Sequence, residues 1–473
     1  METKRCFIDG KWLHTPERLP VFSPWSGEVV GEVCLAGPKE WEAAIVAAQK
    51  AATVLKKWSS QQRRQLLEGM AAGVKVRRQE FVQTIVAEGG KPLTYSRGEM
   101  ARGVTTLSLA AEEASRLGGE VLPLDLTQAS TGRWGFTRRF PVGPVLGIAP
   151  FNFPFNLVAH KVGPALAAGN PIIVKPASAT PLTALKLAEV YEGAGGPPGG
   201  LQVLPSRAEL AEGAVADDRL KVLSFTGSAA VGWYLKSRAG PKKVILELGG
   251  NAACIIDADA DLQQAAHRTA IGAFAHAGQV CIAVQRVLVH RQLYEEFSRT
   301  FLDTIAREIA SGDPARGDTV VGPFIDAAAA ARVRTWVKEA LEEGAHLLTG
   351  GLGEGNLMPP TVLIDVTRDM KVWHQEIFGP VATLTPFGTF DEALELANDS
   401  VYGLQAGVFT NNLAHAWRAF EALEVGGVII NDAPIFRLDH MPYGGVKASG
   451  LGREGVRYAV EELTEIRLLA LRV

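Results

Sequence analysis

Cys281 stands in Gly278-Gln279-Val280-Cys281-Ile282-Ala283, between a glycine-led turn and a β-branched stretch. A thiol there could face a cleft and act as a nucleophile. Free cysteine is also a small buried hydrophobe, the reading that suits Cys6, Cys34 and Cys254. Glu247 ends the apolar run Val244-Ile245-Leu246 and precedes Leu248-Gly249-Gly250. A carboxylate buried at that point would have a raised pKa and suit general-base work, or else would close a strand-end salt bridge. Asn152 lies in Pro150-Phe151-Asn152-Phe153-Pro154, where a stiff turn could aim its amide at an oxyanion or simply use Asn as a turn former. Phe225-Thr226-Gly227-Ser228 leads into Ala229-Ala230-Val231-Gly232, a strand, glycine turn and helix start whose free amides could meet a phosphate. It is not the G-x-G-x-x-G dinucleotide fingerprint. Lys175, in Val174-Lys175-Pro176-Ala177-Ser178, puts a cation at a strand's C-terminal edge, where open α/β sheets bind ligands.

Such side chains need a scaffold. From residue 145 the chain alternates short β-branched runs (145–149, 171–174, 201–204, 222–225 and 244–246) with helix-length segments (157–168, 182–194 and 229–238). Buried parallel strands with crossover helices read this way. A second series follows, with strands at 253–256, 284–290, 381–386, 406–409 and 425–430 and helices at 261–275 and 294–310. The first 120 residues read as mostly helical, over 40–53 and 61–89, with Gly89-Gly90-Lys91-Pro92 as a stop. Two stretches fit neither sheet: Gly132–Phe140, and Glu465–Val473 with its alternating Ile466, Leu468 and Ala470. Edge strands of that kind need a cover and are expected to be oligomer contacts.

Composition narrows the function. The 473 residues are 47% hydrophobic and 21% charged, ample for a large core. A net charge of −3 supplies no basic platform for nucleic acid or an anionic membrane. No apolar segment follows the charged start, and no apolar run approaches a membrane span, so a cytoplasmic protein is expected. The four cysteines include no C-x-x-C pair and the nine histidines no H-E-x-x-H, so no metal is expected. Asp257, Asp259 and Asp261 mimic the first half of a calcium loop, but Leu262 and Arg268 stand where Gly and Glu are required. They are expected to end a strand and cap the next helix.

Taken in order, seven motifs resemble the aldehyde dehydrogenase superfamily over essentially the whole chain. They are Pro150–Pro154, Val174–Ser178, Phe225–Ser228, Glu247–Gly250, Gly278–Cys281, Glu376-Ile377-Phe378-Gly379-Pro380 and Pro442-Tyr443-Gly444-Gly445-Val446-Lys447-Ala448-Ser449-Gly450. The resemblance implies an α/β protein with two open α/β domains and a small β oligomerisation arm. The NAD(P)-binding domain would take 1–121 and 143–247, the catalytic domain 248–458, and the arm 122–142 and 459–473. By motif position Cys281 would be the nucleophile, Glu247 the water-activating base and Asn152 the oxyanion donor. Phe151, Lys175, Ser178, Gly227, Ser228, Glu376 and Phe378 would hold the cofactor, with Lys161 and Glu454 as candidate proton relay.

The resemblance thus implies oxidation of a small aldehyde to its acid through a cysteine thioester, in a homodimer or homotetramer. Relatives strict for NAD often carry Glu three residues after the Lys175 position; Ser178 stands there, so NADP is expected to be accepted beside NAD, or even preferred. Glu99-Met100-Ala101-Arg102 and Phe436–Met441 resemble a branch with lactaldehyde-type and phosphonoacetaldehyde-type enzymes, making Arg102 and Arg437 candidates to grip a hydroxylated or anionic tail. Their alternative is a surface or inter-subunit salt bridge. Val280 and Phe153 depart from phosphate-handling relatives, and Leu204-Pro205-Ser206 lacks the family's usual glycine. Two other functions compete: an idle binding protein on the same fold, and acyl transfer to coenzyme A, which the carboxylate at Glu247 disfavours.

Overall fold

A computed structural model describes residues 2–473. Its first large sheet has eight strands in the order Lys11–Leu13, Cys6–Ile8, Leu201–Val203, Ile172–Lys175, Val145–Ile148, Val222–Thr226, Lys243–Glu247 and Gly450–Leu451. The five strands from Leu201–Val203 to Lys243–Glu247 are parallel, and both ends of the sheet are finished by antiparallel pairs. These five match the first β-branched series, and their interiors are fully buried, which is why they read as continuous apolar runs rather than alternating ones.

Helices Asn156–Ala168, Pro181–Gly193, Ala208–Val215 and Ala229–Arg238 make the crossovers. Strand Val145–Ile148 is followed on one side by Ile172–Lys175 and on the other by Val222–Thr226, so the connections diverge between those two. That is the switch point at which open α/β sheets leave a crevice beyond the strand ends. The Pro150–Pro154 turn and the Thr226-Gly227-Ser228 turn flank it.

The second sheet runs His346–Thr349, Thr361–Ile364, Val381–Phe387, Val284–His290, Ala252–Ile256, Gln405–Phe409 and Gly427–Ile430, parallel except for its first pair. Each sheet carries hydrophobic clusters on both faces. Asp261 caps helix Leu262–Phe274, accepting from the Gln264 amide at 3.0 Å, and Asp257 accepts from Thr410 and His415 at its strand end, so the three aspartates are occupied as caps and strand-end partners.

The N-terminal reading needs correction. Four helices do fill Pro38–Arg116, but strands Cys6–Ile8, Lys11–Leu13, Arg18–Phe22 and Val29–Cys34 precede them. These strands are three to six residues long, too short for a periodic signal. His346–Thr349 and Thr361–Ile364 went unread for the same reason.

Arg133–Pro141 and Thr464–Arg472 pair antiparallel over their full length, with Val121–Pro123 as a third strand. Trp134, Phe136, Ile466, Leu468, Leu469 and Leu471 on this ribbon are all exposed. No helix in the described chain is long and apolar enough to cross a membrane.

Candidate active site

A cavity of about 680 Å³ opens from the switch point of the first sheet into the seam with the second. Cys281, Glu247, Asn152, Phe151, Gly227, Ser228, Glu376, Phe378, Arg102 and Arg437 all line it. Lys161 and Glu454 lie behind its wall, while Lys175 and Ser178 follow the neighbouring parallel strand.

The turn before Cys281 is tightly constrained. His276, Ala277 and Gly278 all have left-handed backbone, with φ of 52°, 56° and 64°. A side chain on Gly278 would strike the Gly379 carbonyl. The two non-glycine residues hold a conformation that costs energy and persists only where surrounding structure enforces it. Cys281 emerges half-buried, its Sγ 3.0 Å from the Tyr443 hydroxyl. Burial pushes its thiol up to about 12; Tyr443 and Arg437 pull it down, Glu376 and Glu247 push it further up.

Asn152 is buried and donates from Nδ2 to the Gln279 carbonyl at 2.9 Å, which ties the amide to the cysteine turn and leaves its other N–H uncommitted. The turn itself is clamped by an ion pair that sequence reading missed. Lys91 Nζ lies 2.6 Å from Glu99, donates to the Asn152 carbonyl at 3.0 Å and sits 3.3 Å from the centre of the Phe153 ring. Glu99 also accepts from the Phe155 and Asn156 amides, the N-terminal edge of helix Asn156–Ala168. Both side chains are sealed from solvent. In the sequence Lys91 marks only a helix stop; nothing local to it points 61 residues ahead.

Glu247 closes its strand beside Gly450. Its carboxylate is buried with both oxygens unpartnered. Burial, then the Glu454 carboxylate, raises its pKa well above the ordinary range, opposed by Arg437, Lys161 and Arg453. Gly250 lets this loop reach the cysteine turn: a Cβ there would lie 2.1 Å from the Cys281 carbonyl. Ser449 braces the same loop by donating to the Gly249 carbonyl at 2.6 Å.

Behind the wall, Glu454 pairs with Lys161 at 3.3 Å and Arg437 at 3.1 Å. Burial works to raise Glu454, but Lys161 and Arg437 outweigh it and hold the group at about 2. Lys161 also donates to Thr226 at 2.7 Å and Ser224 at 3.2 Å. Arg437 stacks on the Tyr443 ring at 3.6 Å, its side chain 8% exposed. Arg102 holds Asp439 at 2.8 Å, and His160 and Asn156 share that carboxylate. Both arginine pairs are therefore internal to the chain. Asp439 and Tyr443 belong to the Phe436–Met441 and Pro442–Gly450 segments, but only the folded chain brings Tyr443 to the cavity and Asp439 to Arg102 at its wall.

A dinucleotide fits the strand ends. Ser228 is the N-cap of helix Ala229–Arg238, yet its hydroxyl makes no capping bond, and Gly227 donates to the Glu247 carbonyl at 3.1 Å. The helix amides and the Ser228 hydroxyl are thus available to a phosphate. Lys175 is buried with only the Pro176 carbonyl as acceptor, at 3.3 Å, and burial lowers its pKa. Glu376 accepts from the Gly250 amide at 2.9 Å and is pushed up to about 7 by burial. The Phe151 and Phe378 rings stand edge to face 6.0 Å apart, Phe378 with a strained φ of 49°.

Fold and cavity together define a dinucleotide-type α/β protein with a reachable thiol at the switch point. The model of the Aldehyde dehydrogenase family matches residues 12–469. The chain is 44% identical to the 3-sulfolactaldehyde dehydrogenase of Priestia aryabhattai over 468 residues, covering 99% of this chain and 98% of that one. Aldehyde dehydrogenase 21 from Physcomitrella patens, solved with its reaction product succinate, superposes with a TM-score of 0.97 at 42% identity over 100% of this chain and 98% of that one. The NADP-dependent glyceraldehyde-3-phosphate dehydrogenase of Bacillus halodurans, complexed with NADP, gives 0.97 at 34% over 100% of both chains. The chain belongs to the aldehyde dehydrogenase family. It is an NAD(P)-dependent aldehyde oxidoreductase.

The Lys91–Glu99 pair predicts a stability effect. Lys91→Met leaves a buried carboxylate unpaired and is expected to cost about 3–5 kcal/mol, read as a lowered thermal midpoint. An unchanged midpoint would contradict the clamp.

Proposed function

We propose that Cys281, Glu247 and Asn152 carry out the oxidation of a short aldehyde with an anionic or hydroxylated tail to its carboxylic acid. The observation that carries this reading is the meeting of a reachable thiol, an unpartnered carboxylate and a half-committed amide in one cavity at the switch point. Sγ of Cys281 adds to the carbonyl carbon, and the charge that develops on oxygen is held by the free N–H of Asn152 with the Cys281 amide. A nicotinamide held at the strand ends by Ser228, Glu376 and Phe378 would supply the hydride acceptor, and loss of hydride from the adduct would leave a thioester on Cys281. Glu247 takes one proton from water as it attacks that thioester; the acyl group leaves as the carboxylate and the second proton returns to sulfur as the thiol. Lys161 and Glu454 carry the proton onward from Glu247.

Arg102 and Arg437 serve the tail. Both line the cavity, and each keeps donors free of its carboxylate partner: Arg102 bonds Asp439 through Nε and Nη2 only, and Arg437 has an unpartnered Nε. The names of two similar proteins, a sulfolactaldehyde dehydrogenase and an enzyme holding succinate, point to anionic tails.

The assigned division is 1–121 and 143–247 for the cofactor domain, 248–458 for the catalytic domain, and 122–142 with 459–473 for the arm. The arm's ribbon exposes apolar side chains on both faces, which supports a homodimer or homotetramer of this cytoplasmic enzyme.

The functional test uses purified protein, each cofactor, and aldehydes with carboxylate, sulfonate, hydroxyl or alkyl tails. Reduced cofactor and free acid are expected without coenzyme A, fastest with anionic or hydroxylated tails, and lost in Cys281→Ala. A rate that requires coenzyme A, or survives in Cys281→Ala, would overturn the mechanism.

The raised pKa of Glu247 sets a pH dependence. Its carboxylate forms only as pH rises through the elevated midpoint, so hydrolysis-limited turnover increases with pH there. Glu454→Gln removes a negative neighbour and frees Arg437 and Lys161 to act on Glu247, so the acid limb moves to lower pH. Turnover with no acid limb, or a limb moved upward, would remove Glu247 as the base.

Ser178 sets cofactor tolerance. With no carboxylate three residues after Lys175, the 2′-phosphate of NADP meets no repulsion from that position, and Ser178→Glu is expected to raise the KM for NADP about tenfold, ~1.4 kcal/mol, while sparing NAD. Equal effects on both cofactors would contradict this role.

A further inference from the structure

The Tyr443 hydroxyl has one recorded partner in the structure, Sγ of Cys281 at 3.0 Å. The residue is buried, and its backbone is locked into a two-way bridge with Glu454, its amide donating to the Glu454 carbonyl at 3.0 Å and its carbonyl accepting at 2.6 Å. Its side chain belongs to one buried cluster with Leu404 and with Val280 and Ile282, the residues that flank Cys281. The phenol is thus a fixed fixture against the sulfur.

The Arg437 guanidinium lies 3.6 Å from the ring centre and is itself fixed by Glu454. A cation over a phenol face withdraws charge from the ring and makes its O–H a better donor. While the thiol is protonated either atom can donate. Once the proton has left, sulfur can only accept, and the phenol is the donor in place.

We propose that Tyr443 is a catalytic residue that donates its hydroxyl hydrogen bond to the Cys281 thiolate and so sets the pH at which the nucleophile is ready. The proposal rests on Cys281 being the nucleophile and adds how that thiol is made available. The need follows from the surroundings. The groups facing Sγ are Tyr443 and Arg437 from the C-terminal segment, Glu247 from its strand end and Glu376 from the loop across the cavity. Burial and the two carboxylates disfavour a thiolate, leaving the phenol and the guanidinium to favour it. In ionisation the thiol proton passes to water in the cavity and Tyr443 keeps its own.

The test is alkylation of the cofactor-free enzyme by iodoacetamide across pH, comparing the native chain with Tyr443→Phe. The sulfur–carbon bond forms, iodide leaves, and neither cofactor nor hydride transfer is involved. Cys281→Ala supplies the background from the three buried cysteines. Loss of one hydrogen bond to a charged group is expected to displace the rate–pH profile upward by about one to two pH units. A more basic thiolate is also more nucleophilic and returns about half of that on a logarithmic scale, so the net rate below the midpoint falls about three- to tenfold.

The substitution removes one oxygen and keeps the ring under Arg437, and equal thermal midpoints confirm the fold. A profile unchanged or displaced to lower pH would overturn the proposal. Should Cys281→Ala retain aldehyde oxidation, the reading of Cys281 itself fails, an outcome distinct from an unshifted alkylation profile.

Discussion

A carboxylate buried without a single hydrogen bond is an expense that folding tolerates only where something else requires it. Glu247 is that group, with both oxygens unpartnered and its charge disfavoured by burial. Much of the site accommodates it. Lys161, Arg437 and Arg453 surround it with positive charge, yet the direct salt bridges of Lys161 and Arg437 go to Glu454, so Glu247 is steadied at a distance without being saturated. Glu454 and Glu247 form a coupled pair driven in opposite directions: one stays ionised by its partners, the other is left free to take up a proton. A strong salt bridge to Glu247 would have stabilised the charged form and removed the basicity that the proposed role requires.

The approach of three chain segments depends on missing side chains and on strain. Gly250 admits the Cys281 carbonyl, Gly278 admits the Gly379 carbonyl, and left-handed His276 and Ala277 turn the chain so that the thiol meets the cavity. Two further pairs of opposite charge brace the cavity wall, Lys91 with Glu99 and Arg102 with Asp439. Paired charges hold the walls in place with little net field.

The five parallel strands of the first sheet were legible because each is a short β-branched run ended by Gly or Pro, and burial on both faces removes any alternation that would confuse the signal. Cys281, Glu247 and Asn152 were legible as chemical types at strand ends and turns. Their convergence rested on the family motifs, since Asn152 and Cys281 lie far apart in sequence, in turns that adjoin strands of different sheets. Lys11–Leu13 and Gly450–Leu451 contain no β-branched residue and so carry no such signal; their place comes from the sheet edge they complete. Contacts like those of Lys91 with Asn152 and Tyr443 with Cys281 leave no local mark, because each is a relation between distant segments that exists only after folding.

The proposed reaction requires an acyl group to pass through Cys281 and to be released by water that Glu247 activates. Intact-mass and peptide mass spectrometry of Glu247→Gln, quenched during turnover with an aldehyde and cofactor, tests both parts at once. A mass increase equal to the acyl group, located on the peptide containing Cys281 and persisting well beyond one native turnover, is the predicted result. No adduct, or an adduct on another residue while aldehyde is still oxidised, would contradict it.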